Sequence, residues 1–150
     1  MMKSILLNNL NKTDKELVEK AIQVRKFAYC PYSGYAVGAA LIDSNGCIHT
    51  GCNIESADYT LSSHAEMVAI DSMVKSGCLL VKKVVIALRG IGTKAATPCG
   101  LCRQKIVEFD SNAESEIIVV NLNDNNDIVN ITSFEIKELL PFMFNNSFIK

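Results

Sequence analysis

The sequence predicts an α/β fold layered on a central sheet, and three observations carry that expectation. Two short apolar runs flank a Ser44-Asn45-Gly46 step, further apolar runs of strand length follow, and segments with helical spacing stand between them. A hairpin followed by strands that alternate with helices is the pattern of an α/β sheet. With 150 residues the chain fits one domain, 1–150, able to bury roughly 70% of the surface its unfolded form exposes.

Taken in order, Thr13-Asp14-Lys15-Glu16 reads as a capping box, with the threonine at the N-cap and the glutamate three residues on. Leu17, Ala21, Val24 and Ala28 then recur at helical spacing, giving an amphipathic helix that stops before Pro31. Val37–Asp43 and 47–52 read as a hairpin, since Asn-Gly is a strong turn signal. Residues 53–62 are polar and loop-like and lead into a helix carrying His64 and Glu66. Val68, Ala69, Ser72 and Met73 supply its inner face, and Gly77 suits the position after its end. Residues 81–88 read as a strand, an apolar run of strand length apart from Lys82-Lys83. In the loop 89–97, Gly90-Ile91-Gly92 lacks the third glycine and the following helix of a dinucleotide fingerprint, so no phosphate site is expected. Pro98 fits the first turn of a helix running to about Phe109, where its missing N–H costs nothing. Residues 117–122 and 128–131 read as strands around a polar turn, and 133–140 as a short helix ending at Pro141. There is no internal repeat, linker or low-complexity tract.

Charge and composition exclude several function classes. A net charge of −1 and a pI near 6.1 argue against a long polyanion, because binding to its backbone needs many Lys and Arg contacts. The adjacent Lys82-Lys83 reads as solvated surface. No stretch approaches the ~20 apolar residues of a membrane span, and the short apolar run near the N-terminus does not make a signal peptide. A cytoplasmic protein with reduced thiols and no membrane partner is expected. Cys30, Cys47, Cys52 and Cys78 lack mutual ligand spacing and read as buried small hydrophobes.

The chemistry concentrates in Ser63-His64-Ala65-Glu66 and Thr97-Pro98-Cys99-Gly100-Leu101-Cys102. His64, Cys99 and Cys102 offer one imidazole and two thiolates, which satisfy three positions of a tetrahedral Zn²⁺ and leave the fourth for water. Such an ion lowers the pKa of that water from about 15.7 toward about 7. Glu66 is not needed as a ligand and is placed to move the water's protons. Cys99 and Cys102 fall on one side of a helix's first turn, where the dipole favours thiolates. If the two helix starts face each other, one ion links them. The alternative is a closed zinc site that only holds the fold; it needs a fourth protein ligand from Cys47, Cys52 or His49. Glu66 decides for the open, catalytic arrangement, and His49 reads as an ordinary strand residue.

The spacing H-x-E…P-C-x-x-C is a signature of zinc-dependent base deaminases, and the chain resembles the cytidine deaminases of pyrimidine salvage. The likeness extends to Cys30-Pro31-Tyr32-Ser33-Gly34-Tyr35-Ala36-Val37-Gly38, to Gly51-Cys52-Asn53-Ile54-Glu55, to Cys102-Arg103-Gln104 and to Glu138-Leu139-Leu140-Pro141, running from about residue 13 to 145. It implies a three-layer α/β/α fold with a mixed central sheet of about five strands. It implies one zinc per subunit, with Glu66 as the proton shuttle. The reaction would be hydrolytic deamination of cytidine and 2′-deoxycytidine to uridine and 2′-deoxyuridine, with release of ammonia. The family makes Asn53 and Glu55 ribose-binding residues, has Ala65 contribute backbone groups to the base, and places Tyr35 in the pocket. Phe144 matches an aromatic that, in the family's small form, stacks on the pyrimidine of a neighbouring subunit. That form is a homotetramer with shared active sites, and the length of this chain fits it. Rival readings are a deaminase of another aminopyrimidine, such as a blasticidin-S-like nucleoside, a nucleic-acid deaminase, and a non-catalytic zinc-stabilised interaction domain. The neutral charge pattern lacks the basic groove that a strand needs.

One departure stands out. The small form usually reads Cys-Ala-Glu-Arg where this chain reads His64-Ala65-Glu66-Met67. Three thiolates leave a zinc site net negative, and the family's arginine offsets that charge. One imidazole and two thiolates balance to neutrality, and Met67 is neutral. The hypothesis is a matched exchange that keeps the zinc electrophilic.

Overall fold

The computed structural model describes residues 3–91, 96–110 and 112–149. In chain order its elements are β1 (Lys3–Ile5), α1 (Lys12–Arg25), β2 (Val37–Asp43), β3 (Ile48–Cys52), α2 (Ala65–Lys75), β4 (Val81–Arg89), α3 (Gly100–Glu108), β5 (Glu116–Leu122), β6 (Ile128–Glu135) and the one-turn α4 (Ile136–Leu139). Among the described residues six strands form one sheet in the order β1-β6-β5-β4-β2-β3. The β4–β5 pair is parallel and the others antiparallel, so the sheet is mixed. A parallel pair needs a long crossover, and α3 supplies it.

Alternation along β4 builds two cores. Val84, Ile86 and Leu88 pack with Leu41, Ile70, Met73 and Ile106 beneath α2 and α3. Val85 and Ala87 point the other way and pack with Leu17, Val18, Ala21 and Ile118 beneath α1. Both faces are covered from Val84 to Leu88, which is why that stretch reads as an unbroken apolar run. The three-layer α/β/α arrangement follows. Gly51 sets how α2 docks on the hairpin: a Cβ there would lie 2.5 Å from both the Ala65 carbonyl oxygen and the Ala69 nitrogen.

Several local expectations change. The cap of α1 is Asn11, whose Oδ1 accepts the Asp14 N–H at 2.8 Å, and not Thr13. Asparagine is at least as good a cap as threonine, and Asp14 is left to pair with Lys83 Nζ at 2.5 Å. Lys83 also meets Glu116 at 2.8 Å, so it is not solvated surface; Lys82 is. Ser133 and Phe134 stay in β6, paired with Ile118 and Ile117, because Phe134 buries its ring there; the helix is confined to α4. Pro98 precedes the N-cap of α3 and does not sit inside the helix. Strand β1 is a short addition at the sheet edge that carries no alternation signal. Of the four other cysteines only Cys78 is buried; Cys47 is exposed, and Cys30 and Cys52 are intermediate. Gly92 of the glycine loop lies outside the described residues.

His49 is held rather than free. Its Nε2 lies 2.9 Å from Asp43 Oδ2, and Asp43 Oδ1 accepts the N–H groups of Asn45 and Cys47 at 2.9 Å each. Burial alone raises the Asp43 pKa, but the His49 bond and the two backbone donors outweigh it and hold the carboxyl below its ordinary range. A carboxyl that binds its proton less tightly when folded stabilises the fold above its unfolded pKa, near 4, and that contribution fades as pH falls through the folded value. Asp43→Asn is therefore expected to cost ~1–2 kcal/mol at neutral pH. In thermal melts across pH, its deficit against wild type should narrow below about pH 4. A deficit that stays constant into acid would show that the charge is not what stabilises the turn.

Candidate active site

A cavity of about 520 Å³ opens between the starts of α2 and α3, with Leu88 at the C-terminal end of β4 in its wall. Crevices outside the carboxyl ends of strands are where α/β sheets collect ligands. Both helices begin on a residue expected to bind metal: His64 is the N-cap of α2 and Cys99 that of α3, and neither side chain caps its helix. The two helix starts do face each other. His64 Nδ1 lies 3.2 Å from Cys102 Sγ and 3.3 Å from Cys99 Sγ, and the three ligand atoms fall within 4.8 Å of one another.

This donor set fits Zn²⁺. Bonds of about 2.0–2.3 Å in a tetrahedron set nitrogen and sulfur ligands about 3.5 Å apart, close to the separations found. Burial, and then the charges of Glu66 and Cys99, push the Cys102 thiol well above its ordinary pKa. A divalent cation is what ionises such a thiol. Among the described residues no fourth His, Cys, Asp or Glu joins the group. Cys47 and Cys52 stay with the hairpin and His49 is committed to Asp43, so the fourth position is left open.

Glu66, the second residue of α2, is 5% exposed and lines the same cavity. Burial raises its pKa; its own backbone N–H, the Cys102 side chain and His64 pull partly the other way. Ala65, Tyr35, Asn53 and Glu55 also line the cavity. Ile54 exchanges backbone hydrogen bonds with Ser63 at 2.9 Å each, which folds the 53–63 loop back beside His64. Asn53 Oδ1 accepts from Val37 N at 2.8 Å, and its Nδ2 donates to the Tyr35 carbonyl at 2.9 Å. The Tyr35 hydroxyl donates to the Arg89 carbonyl at 2.8 Å. Glu55 Oε2 accepts from the backbone of Tyr32 at 2.9 Å and Ser33 at 3.2 Å, and Oε1 from the Ser33 hydroxyl. The Ser33 hydroxyl is the largest cause of a lowered Glu55 pKa.

Phe144 is not brought to this cavity. It is 57% exposed and stacks on Phe148 with ring centroids 5.7 Å apart. Two participants were missed in the sequence. Ser33 anchors Glu55, and Arg103 binds Thr97 and Pro98 of the cavity wall. The signal for Arg103 was an arginine placed directly after a ligand cysteine; Ser33 had none beyond its polar turn.

Residues 11–119 match the family model described as the cytidine and deoxycytidylate deaminase zinc-binding region. The cytidine deaminase of Sporosarcina psychrophila is 35% identical over 130 residues, covering 87% of this chain and 90% of the relative. That of Halalkalibacterium halodurans is 39% identical over 128 residues, covering 85% and 91%. Among solved structures, the cytidine deaminase from Burkholderia pseudomallei is similar with a TM-score of 0.78 at 30% identity, over 90% of this chain and 100% of that one.

Proposed function

The chain belongs to the cytidine and deoxycytidylate deaminase family, and from that premise we propose that it hydrolyses cytidine and 2′-deoxycytidine to uridine and 2′-deoxyuridine, releasing ammonia. The observation that carries this reading is the convergence of His64, Cys99, Cys102 and Glu66 on one cavity. His64, Cys99 and Cys102 would hold a Zn²⁺, which would supply an acidified water to the site. Glu66 accepts one proton from the water as its oxygen bonds to C4 and delivers it to N3. It then takes the proton of the hydroxyl now on C4 and passes it to the 4-amino group, so that the C4–N4 bond breaks to leave a carbonyl and ammonia. Burial raises its pKa, the direction that makes the carboxylate a better base. Ala65, at the start of α2, offers backbone groups to the base edge, and Tyr35 walls the pocket beside it.

The sugar is recognised with what the fold leaves over. A carboxylate has about four lone-pair sites, and Glu55 uses three on Tyr32 and Ser33. Asn53 keeps one of its two N–H donors. One donor and one acceptor suit a single ribose hydroxyl, so both ribose and 2′-deoxyribose are accepted. The described lining carries two carboxyl groups and no Arg or Lys, which disfavours a 5′-phosphate and favours the free nucleoside. Phe144, exposed and away from its own cavity, serves a neighbouring site in a homotetramer.

The test is ammonia release from cytidine, deoxycytidine, CMP, cytosine and a short cytidine oligonucleotide, with and without chelator. Turnover of the two nucleosides only, lost on chelation and restored by Zn²⁺, is expected. Bound zinc without ammonia from any of them would leave an interaction domain or a different aminopyrimidine as substrate.

A further inference from the structure

Arg103 binds the backbone on both sides of a metal ligand. Its own N–H bonds to the Cys99 carbonyl at 3.0 Å, and its Nε donates to the Pro98 carbonyl at 2.6 Å. Those are the two peptide groups that flank the Cys99 Cα. The guanidinium continues outward: Nη2 donates to Thr97 Oγ1 at 2.6 Å and Nη1 to the Leu139 carbonyl at 2.9 Å, at the end of α4. Next in sequence, Gln104 Nε2 donates to the Phe144 carbonyl at 2.7 Å.

Cys99 needs such support. As the N-cap it joins the helix only through its carbonyl, which accepts the Arg103 N–H as the first helical bond; its backbone is extended, its side chain caps no N–H, and the residue is exposed. A helix alone leaves such a position loosely fixed. The guanidinium's three acceptors, two backbone carbonyls and one hydroxyl, are spread over the 97–98 loop and the end of α4; they match a rigid planar fork of donors, and a lysine ammonium cannot span them. The Leu139 carbonyl, at the C-terminal end of a helical turn, also has no partner within that helix.

We propose that Arg103 is a positioning residue that fixes the Cys99 ligand and, with Gln104, locks the C-terminal segment bearing Phe144 to the same helix. Metal geometry and the tail are thereby set as one unit. The proposal rests on the deaminase reading for its substrate arm, but its metal arm needs no turnover.

The test compares wild type, Arg103→Lys, Gln104→Leu and Val18→Ala. Val18 is buried under α1 in the opposite layer and makes a control that loses stability only. Zinc release to a chromogenic chelator is followed without substrate, and KM and kcat for cytidine are measured separately. Arg103→Lys should release zinc about tenfold faster, the factor of one lost hydrogen bond of ~1.4 kcal/mol. Its KM should rise about fivefold and more than kcat falls. Gln104→Leu should raise KM and leave zinc release alone; Val18→Ala should move neither. If Arg103→Lys does not fold, Thr97→Val removes one acceptor and should speed release about threefold. Release and KM equal to wild type in a folded Arg103→Lys, or equal acceleration in Val18→Ala, would overturn the proposal. A wild type that binds no zinc would instead overturn the deaminase reading.

Discussion

Glu66→Gln is expected to lower kcat for cytidine by about 10³–10⁴, the upper half of the usual range for a lost general acid–base group. Zinc content and the affinity for cytidine should stay close to wild type. The amide is nearly isosteric with the carboxylate, so a buried side chain 5% exposed in the first turn of α2 keeps its packing. It can still donate or accept one hydrogen bond, but it cannot take a proton from water and return it to N3. Glu66 is also outside the group of three ligand atoms, so its replacement leaves the metal's donors intact. Single-turnover kinetics separate this loss from slow product release. A kcat within tenfold of wild type would remove Glu66 from the chemistry and move the proton shuttle elsewhere.

What could be read in the sequence was what local spacing encodes. His64, Glu66, Cys99 and Cys102 sit at short intervals near helix starts: Cys99 and Cys102, three apart, share one side of a turn, and His64 is the extended cap just before the helix that carries Glu66. Strands β4 and β5 were legible because burial on both faces leaves Val84–Leu88 and Ile117–Val120 without a polar interruption. What could not be read depends on partners distant in sequence. Asp14 looked like part of a capping box, yet its carboxylate meets Lys83, 69 residues away. Ser133 and Phe134 carry a helical pattern locally, and pairing with β5 overrides it. Arg103 reaches Leu139 across 36 residues, and Ser33 finds Glu55 across 22. Neither contact leaves a periodic trace in either segment. Phe144 is a different case. Its ring is exposed and stacks on Phe148, an arrangement that no spacing in the sequence encodes.

The second large effect expected is electrostatic and arises from His64 with Met67. One imidazole and two thiolates make a neutral ligand set around Zn²⁺; His64→Cys adds a negative charge with nothing on Met67 to offset it. A like charge at such range shifts proton affinities nearby by 1–3 pKa units, so kcat/KM at neutral pH should fall about ten- to hundredfold. Because a thiolate binds zinc at least as well as an imidazole, the zinc content of His64→Cys should hold while its activity drops, which separates a charge effect from metal loss. Met67 is the third residue of α2 and only partly buried, so Met67→Arg can be added without opening the core. The double variant His64→Cys/Met67→Arg should recover most of the lost activity, and Met67→Arg alone should not exceed wild type. Recovery in the double but not the single variant would be non-additive, the signature of two residues acting on one quantity. If His64→Cys alone kept full activity, or if Met67→Arg failed to restore it, the two positions would not be electrostatically matched. The imidazole at residue 64 would then owe its place to geometry: it is the N-cap side chain long enough to bring a ring nitrogen within 3.3 Å of both sulfurs.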